Sequence, residues 1–214
     1  MKVLESAPHR YDKGIKILTL GKIDKAYDRL IESIKKDDNT LDIGCGTGML
    51  SFRAVLKGAK VTGIDINPEM LEIAKKRVNE LEVKDKIAFL EMGVAELDHF
   101  ENDSFDVIMS GLCFSELSDD EISFTLNQVN RILRNEGKFL LIDEIRSKSI
   151  VKRIINWFLR IPLVVITYIL TQTTSRALKN IEKRITESNL LIQSRRSNFL
   201  DNFVEFIIIK GDKK

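Results

Sequence analysis

Apolar and polar positions along this chain follow two alternating rhythms. Short runs rich in β-branched residues recur at 40–43, 60–66, 86–91, 105–110 and 138–145, most of them apolar on consecutive positions rather than on every second one. That is the pattern of strands covered on both faces, as in a parallel sheet. Between them lie stretches with helical spacing: 49–56, then 68–81 with Ile73, Val78 and Leu81 on related turns, then 119–133. Strand and helix in alternation predict an α/β fold with a doubly wound, Rossmann-like sheet.

Both ends depart from the alternation. Residues 11–36 read as helical, broken near Gly21, and precede the first strand, so they are expected to pack over the carboxyl edge of the sheet or to flank it. After Ile145, 148–171 is a basic, strongly apolar helical stretch and 176–188 a second amphipathic helix. Segments 190–197 and 202–210 then read as two strands, separated by 198–201 and placed to form an antiparallel hairpin at the sheet edge. The expectation is one domain with a seven-stranded, mostly parallel sheet: an N-terminal helical lid (1–36), a ligand-binding core (37–145), a helical insertion (146–188) and the terminal hairpin (189–214). No repeat, low-complexity tract or Pro/Gly linker marks a second boundary.

The first chemical signal is Leu41-Asp42-Ile43-Gly44-Cys45-Gly46-Thr47-Gly48, at the end of the first strand. Glycines there let the backbone turn sharply and approach a ligand where a Cβ would collide, and the carboxyl edge is where open α/β sheets bind ligands. A dinucleotide fingerprint needs a third glycine at 49, which is Met49. Asp42 opposes a pyrophosphate and suits a ligand carrying an ammonium group. The second signal is Asp65, at the tip of the second strand and 19 residues after Gly46. A carboxylate there accepts hydrogen bonds from both ribose hydroxyls, as adenosine cofactors require; the plainer role for Asp65 is to cap the helix opening at Pro68.

Composition narrows the class. Thirty-four Lys and Arg against 32 Asp and Glu leave a net charge of +2, with no whole-chain signature of nucleic-acid binding. The balance is uneven: Met1 to Ile145 carries 20 basic and 27 acidic residues, the remainder 14 and 5. That basic third is too apolar for a phosphate track. Two cysteines are too few for a disulfide framework, and Glu5, His9 and Arg10 stand where a signal peptide needs an apolar core, so a cytoplasmic setting is expected. The two histidines, His9 and His99, read as surface residues, and no Cys/His cluster has metal-ligand spacing.

Asp42 to Gly48, Asp65 with Asn67-Pro68, Gly93-Val94-Ala95, Ser104-Phe105-Asp106-Val107 and Arg131-Ile132-Leu133, in that order, resemble a class I S-adenosylmethionine-dependent methyltransferase, over roughly residues 36–145. The resemblance implies S-adenosyl-L-methionine as cofactor. Its contacts would be Asp42, Gly44, Cys45, Gly46 and Gly48 around the methionine part, Asp65 at the ribose, Val94 and Ala95 beside the adenine, and in addition Ile66, Met70 and Ser110. Where relatives often carry Asp after the third-strand glycine, this chain has Val94, which leaves the adenine amino group to Glu96 or a backbone carbonyl. The N-terminal 5–30, the run Ser110-Gly111-Leu112-Cys113-Phe114-Ser115-Glu116-Leu117 and Thr171-Gln172-Thr173-Thr174 are similar to the corrinoid protein-associated methyltransferases, a likeness that points to a corrinoid protein as partner without fixing a substrate.

Methyl transfer from a sulfonium is an in-line displacement, so alignment and exclusion of water dominate, with alignment supplying roughly 7–11 kcal/mol. A base is needed only when the acceptor loses a proton. Glu116, Asp143 and Glu144 fall toward the carboxyl edge, each alternatively an ordinary solvated or paired carboxylate, and Tyr11 sits where an N-terminal lid would reach the cofactor. Cys113, Phe114, Trp157 and Tyr168 are the candidates for the acceptor pocket. From Ile161 to Ser175 there are 15 uncharged residues, short of the roughly 20 that span a bilayer. An apolar lid over a bulky small-molecule acceptor, a homodimer interface, a membrane-surface helix held by Lys148, Lys152, Arg153 and Arg160, and a simple packed helix pair remain open. Two other functions compete with the enzyme: a non-catalytic S-adenosylmethionine-binding partner of a corrinoid protein, and an NAD-dependent oxidoreductase.

Overall fold

The computed structural model describes residues 8–19, 21–79, 84–147, 149–151, 177–197 and 203–211. Seven strands form one sheet: β1 (Asn39–Ile43), β2 (Lys60–Asp65), β3 (Ile87–Glu91), β4 (Phe105–Gly111), β5 (Leu133–Glu144), β6 (Leu190–Ser197) and β7 (Phe203–Lys210), in the order β3-β2-β1-β4-β5-β7-β6. The first five are parallel, while β7 runs antiparallel to both β5 and β6. The chain winds outward from β1 through β2 and β3, then returns to the other side of β1 with β4. The two directions diverge at the carboxyl ends of β1 and β4, which leaves a crevice there.

Alternation along the strands sorts the core into two layers. Ile108 of β4 and Phe139 and Leu141 of β5 pack with Ile122, Leu126 and Val129 of α5 (Asp119–Ile132) and with Ile181 and Ile185 of α6 (Ile181–Glu187). Val107 and Met109 of β4 and Leu140 and Ile142 of β5 face the other way, onto Ile23, Ala26, Tyr27 and Leu30 of α2 (Lys22–Leu30) and Leu50, Ala54 and Val55 of α3 (Met49–Leu56). Each fully buried aliphatic side chain contributes roughly 1.5–3 kcal/mol. A third cluster seats α4 (Pro68–Asn79) against Phe89 through Leu71, Ala74 and Val78. Helix α5 starts at a capping box, Ser118 receiving the Glu121 N–H while the Glu121 carboxylate accepts from Ser118 N, worth roughly 1 kcal/mol.

Three details differ from the sequence pattern. The helix expected over 176–188 begins only at Ile181, because Leu178 instead bridges Ile145: its N–H donates to the Glu144 carbonyl at 2.9 Å and its carbonyl accepts from Arg146 N at 3.0 Å. Strand β5 begins at Leu133 rather than 138. Leu133 pairs with Phe105 before the register shifts to Val107 and Lys138, and the intervening polar residues carry no apolar signal. The helical stretch 11–36 is α1 (Pro8–Leu18), α2 and a short 3-10 turn (Ile31–Ser33), with Gly21 between the two helices at φ +72. Most of 148–171 lies outside the described residues. None of the described helices is long and apolar enough to cross a membrane.

Candidate functional site

Beyond Ile43 the chain turns through three glycines into α3. Cys45 N donates to Ile64 O at 2.9 Å, tying the loop to β2, and Gly46 N donates to Asp65 Oδ2 at 2.7 Å. Gly44 and Gly46 show two separate reasons for glycine. Both have positive φ, +68 and +52. A Cβ on Gly44 would lie 2.4 Å from Cys113 Sγ, whereas one on Gly46 would meet nothing within 4 Å. The first glycine is required by packing; the second borders open space that a ligand can fill. Gly48, by contrast, faces the Phe52 and Phe89 rings.

Asp42 is 1% exposed at the floor of the crevice. Its Oδ2 accepts from Ser51 Oγ at 2.6 Å, and among the described residues its Oδ1 has no hydrogen-bond partner. Burial pushes its carboxyl up to about 7; the Ser51 hydroxyl and N–H oppose that rise and Asp65 adds to it. A buried carboxylate oxygen without a donor is costly, and a cationic group bound above it would remove the cost. Asp65 is also pushed upward, chiefly by burial, against N–H bonds from Asn67 and Gly46. Each of its oxygens accepts one such bond, at 2.9 and 2.7 Å, and each retains capacity for a ligand hydroxyl.

The crevice has an outer wall made by α1 and α2. Tyr11, Asp12, Ile15 and Lys16 of α1 and Ile23 and Tyr27 of α2 line it together with Asp42, Gly44, Cys45, Gly46, Thr47, Met49, Leu50 and Gly111. Tyr11 is held well above the ordinary phenol range, first by burial and then by Glu116, Tyr27, Asp65 and Cys113, so it is a neutral donor rather than a base. The thiols of Cys45 and Cys113 are likewise raised by burial and by nearby carboxylates, which leaves neither a thiolate nucleophile.

The residues 40–137 match the family described as the methyltransferase domain. The match covers 98 of the 214 residues, just under half of the chain. The chain is 27% identical over 147 residues to a demethylmenaquinone methyltransferase of Symbiobacterium thermophilum, covering 66% of this chain and 57% of that protein. It is 32% identical over 149 residues to the ubiquinone/menaquinone biosynthesis C-methyltransferase UbiE of a Bradyrhizobium species, covering 66% and 58%. It thus spans less than two thirds of the length of these relatives. The fold is similar to a TehB-like SAM-dependent methyltransferase from Corynebacterium glutamicum, with a TM-score of 0.66 at 17% identity over 95% of this chain and 97% of that one.

Against the methyltransferase domain, the expected contacts divide. Asp42, Gly44, Cys45 and Gly46 line the crevice, with Asp65 bonded to the loop. Ile66 is 72% exposed beside Gly93, an apolar side chain with surface to offer; Val94 is half-buried and Ala95 exposed. Met70 is buried in α4 among core residues, and Ser110 is fully buried with its hydroxyl donating to Ile43 O at 2.9 Å. Buried in this way, both side chains present little surface to a ligand. Phe114, expected at the acceptor pocket, is a correction: it is fully buried against Phe139, its ring centroid 5.8 Å away, and presents no surface. Cys113 is half-buried against Gly44. Trp157 and Tyr168 lie outside the described residues.

Of the carboxylates, Glu116 is exposed and its charge raises the Tyr11 phenol and the Cys113 thiol, though it is not among the residues that line the crevice. Glu144 is buried at the end of β5. Asp143 is fully buried and pushed up to about 7 by burial, while the Ser115 and Glu144 N–H groups it accepts from, at 3.1 and 2.6 Å, pull the other way. Its place is structural, fastening the turn after β4 to the end of β5. Asp12, Tyr27 and Thr47 went unforeseen. Tyr27 falls on the apolar face of α2, where periodicity cannot separate a wall from a core, and nothing local marks Asp12 as a neighbour of Thr47.

Proposed function

We propose that this protein transfers the methyl group of S-adenosylmethionine to a small-molecule acceptor. The observation that carries the reading is the buried Asp42 carboxylate, one oxygen of which has no partner among the described residues, in the same crevice as the open space at Gly46. Those features fit the α-ammonium and methionine portion of the cofactor, and Asp65 fits its ribose hydroxyls. When bound, the cofactor supplies an activated methyl on a positively charged sulfur. The chain's part is to orient it: Asp42 holds the ammonium, Asp65 the ribose, and Ile66 offers an apolar face for the adenine. Tyr11 and Tyr27 add an aromatic wall that excludes water and keeps neutral hydroxyls near the reacting end.

An acceptor that attacks through carbon or through a phenolic oxygen must lose a proton, and Glu116, whose charge reaches Tyr11 in the crevice wall, is the proposed acceptor of it. The names of the relatives make demethylmenaquinone the first acceptor to assay. The test measures S-adenosylhomocysteine released from S-adenosylmethionine with a demethylmenaquinol analogue, with simple phenols, and with a methyl-accepting corrinoid protein. Turnover with a small acceptor is the expected result. Tight cofactor binding with no turnover on any acceptor would turn the reading to a binding protein, and preference for NAD would end it.

A further inference from the structure

Asp12 is where α1 is fastened to the glycine loop. Its carboxylate accepts from Thr47 Oγ1 at 2.6 Å and pairs with an Arg77 nitrogen, from the last turn of α4, at 2.5 Å. The other terminal nitrogen of Arg77 donates to the Thr47 carbonyl at 3.1 Å. Three elements far apart in sequence therefore share one junction, and Thr47 meets it through both its hydroxyl and its carbonyl. Among the described residues no other hydrogen bond runs from α1 to the loop or to α4; the Lys16 ammonium pairs instead with Asp24 of α2. On the same helix, Tyr11, Ile15 and Lys16 form the outer wall of the crevice.

We infer that Arg77 is a positioning residue for cofactor binding, holding α1 closed over the glycine loop through Asp12 and Thr47. The inference rests on the reading of this crevice as the cofactor site. The geometry uses what distinguishes arginine: a planar fork gives two acceptors on different elements one donor each, which a lysine ammonium on a flexible stem does less well. The side chains of Arg77 and Asp12 are 38% and 20% exposed, so the pair is open to solvent and its strength falls as salt rises. A molecule lying between α1 and the loop leaves when α1 lifts, and lifting α1 separates Asp12 from both partners. The junction therefore governs escape more than entry.

Stopped-flow dissociation of S-adenosylhomocysteine from the full chain tests this, using wild type, Arg77→Met, Arg77→Lys and Asp12→Asn at about 50 and about 500 mM salt. Loss of one partly exposed, charge-assisted junction is expected to raise koff on the order of tenfold in Arg77→Met while kon stays within about threefold, with Arg77→Lys between the two. Wild-type koff rises with salt, and Arg77→Met loses that dependence, a change that a general loss of stability would not produce. Hydrogen exchange supplies the local readout: the ligand protects α1 amides in wild type and not in Arg77→Met. Asp12→Asn preserves shape and serves where Arg77→Met folds poorly. Dissociation within about twofold of wild type in both variants, or an unaltered salt dependence, would overturn the inference alone. A wild-type chain that does not bind S-adenosylhomocysteine would overturn the cofactor reading and this inference with it.

Discussion

If Asp42 holds the ammonium group as proposed, affinity for S-adenosylhomocysteine becomes a function of pH between about 5.5 and 7.5. The carboxyl is pushed up to about 7 by burial, and the form that holds a cation is the ionised one. With that midpoint, the ionised fraction falls from roughly three quarters at pH 7.5 to roughly 3% at pH 5.5, about 25-fold or about 1.9 kcal/mol. Calorimetric titration of S-adenosylhomocysteine should show this weakening in wild type, with proton release from Asp42 on binding near pH 6.5. Asp42→Asn should bind more weakly at pH 7.5, converge on wild type at pH 5.5, and lose most of the slope. The stability of the free protein runs by the same linkage. A carboxyl whose folded value lies above its unfolded one binds more protons when folded, so its contribution falls as pH rises from about 4 through about 7. Asp42→Asn should therefore have a higher Tm than wild type at pH 8 and lose that advantage at pH 4.5. Affinity that is flat from pH 5.5 to 7.5 in wild type, or an Asp42→Asn Tm lower than wild type at pH 8, would refute the reasoning.

Two further substitutions probe the same edge of the sheet. Asp65→Ala removes two acceptors for the ribose, each charge-assisted bond worth roughly 1.5–3 kcal/mol, so S-adenosylhomocysteine affinity should fall at least about tenfold in calorimetry; unchanged affinity would remove Asp65 from the ribose. Gly44→Ala places a methyl 2.4 Å from Cys113 Sγ at a residue with φ +68, which should destabilise the fold by about 2–4 kcal/mol in denaturant unfolding. Cys113→Gly should recover part of that loss, and an absence of recovery would mean the clash is not its cause.

The sequence by itself carried a good deal of this protein. Consecutive apolar β-branched runs can only be buried between two helical layers, so the parallel strands were legible, as was the edge hairpin of β6 and β7. Gly44, Gly46 and Asp65 were legible because their chemistry is local: a turn that a Cβ obstructs and an acid at a strand tip read the same in one dimension as in three. Tertiary structure decided whatever depends on which faces meet. Phe114 and Ser110 sit at the carboxyl edge like the site residues, yet strand and turn geometry directs both into the core. Asp42 stands one residue from the loop, but its unpartnered oxygen emerges only once α3 brings Ser51 to the other one. The Asp12–Thr47–Arg77 junction joins positions 35 and 65 residues apart, and no spacing rule reaches across three elements. It exists because α1 and α4 flank the same loop, which is a property of the packed sheet and not of any segment within it.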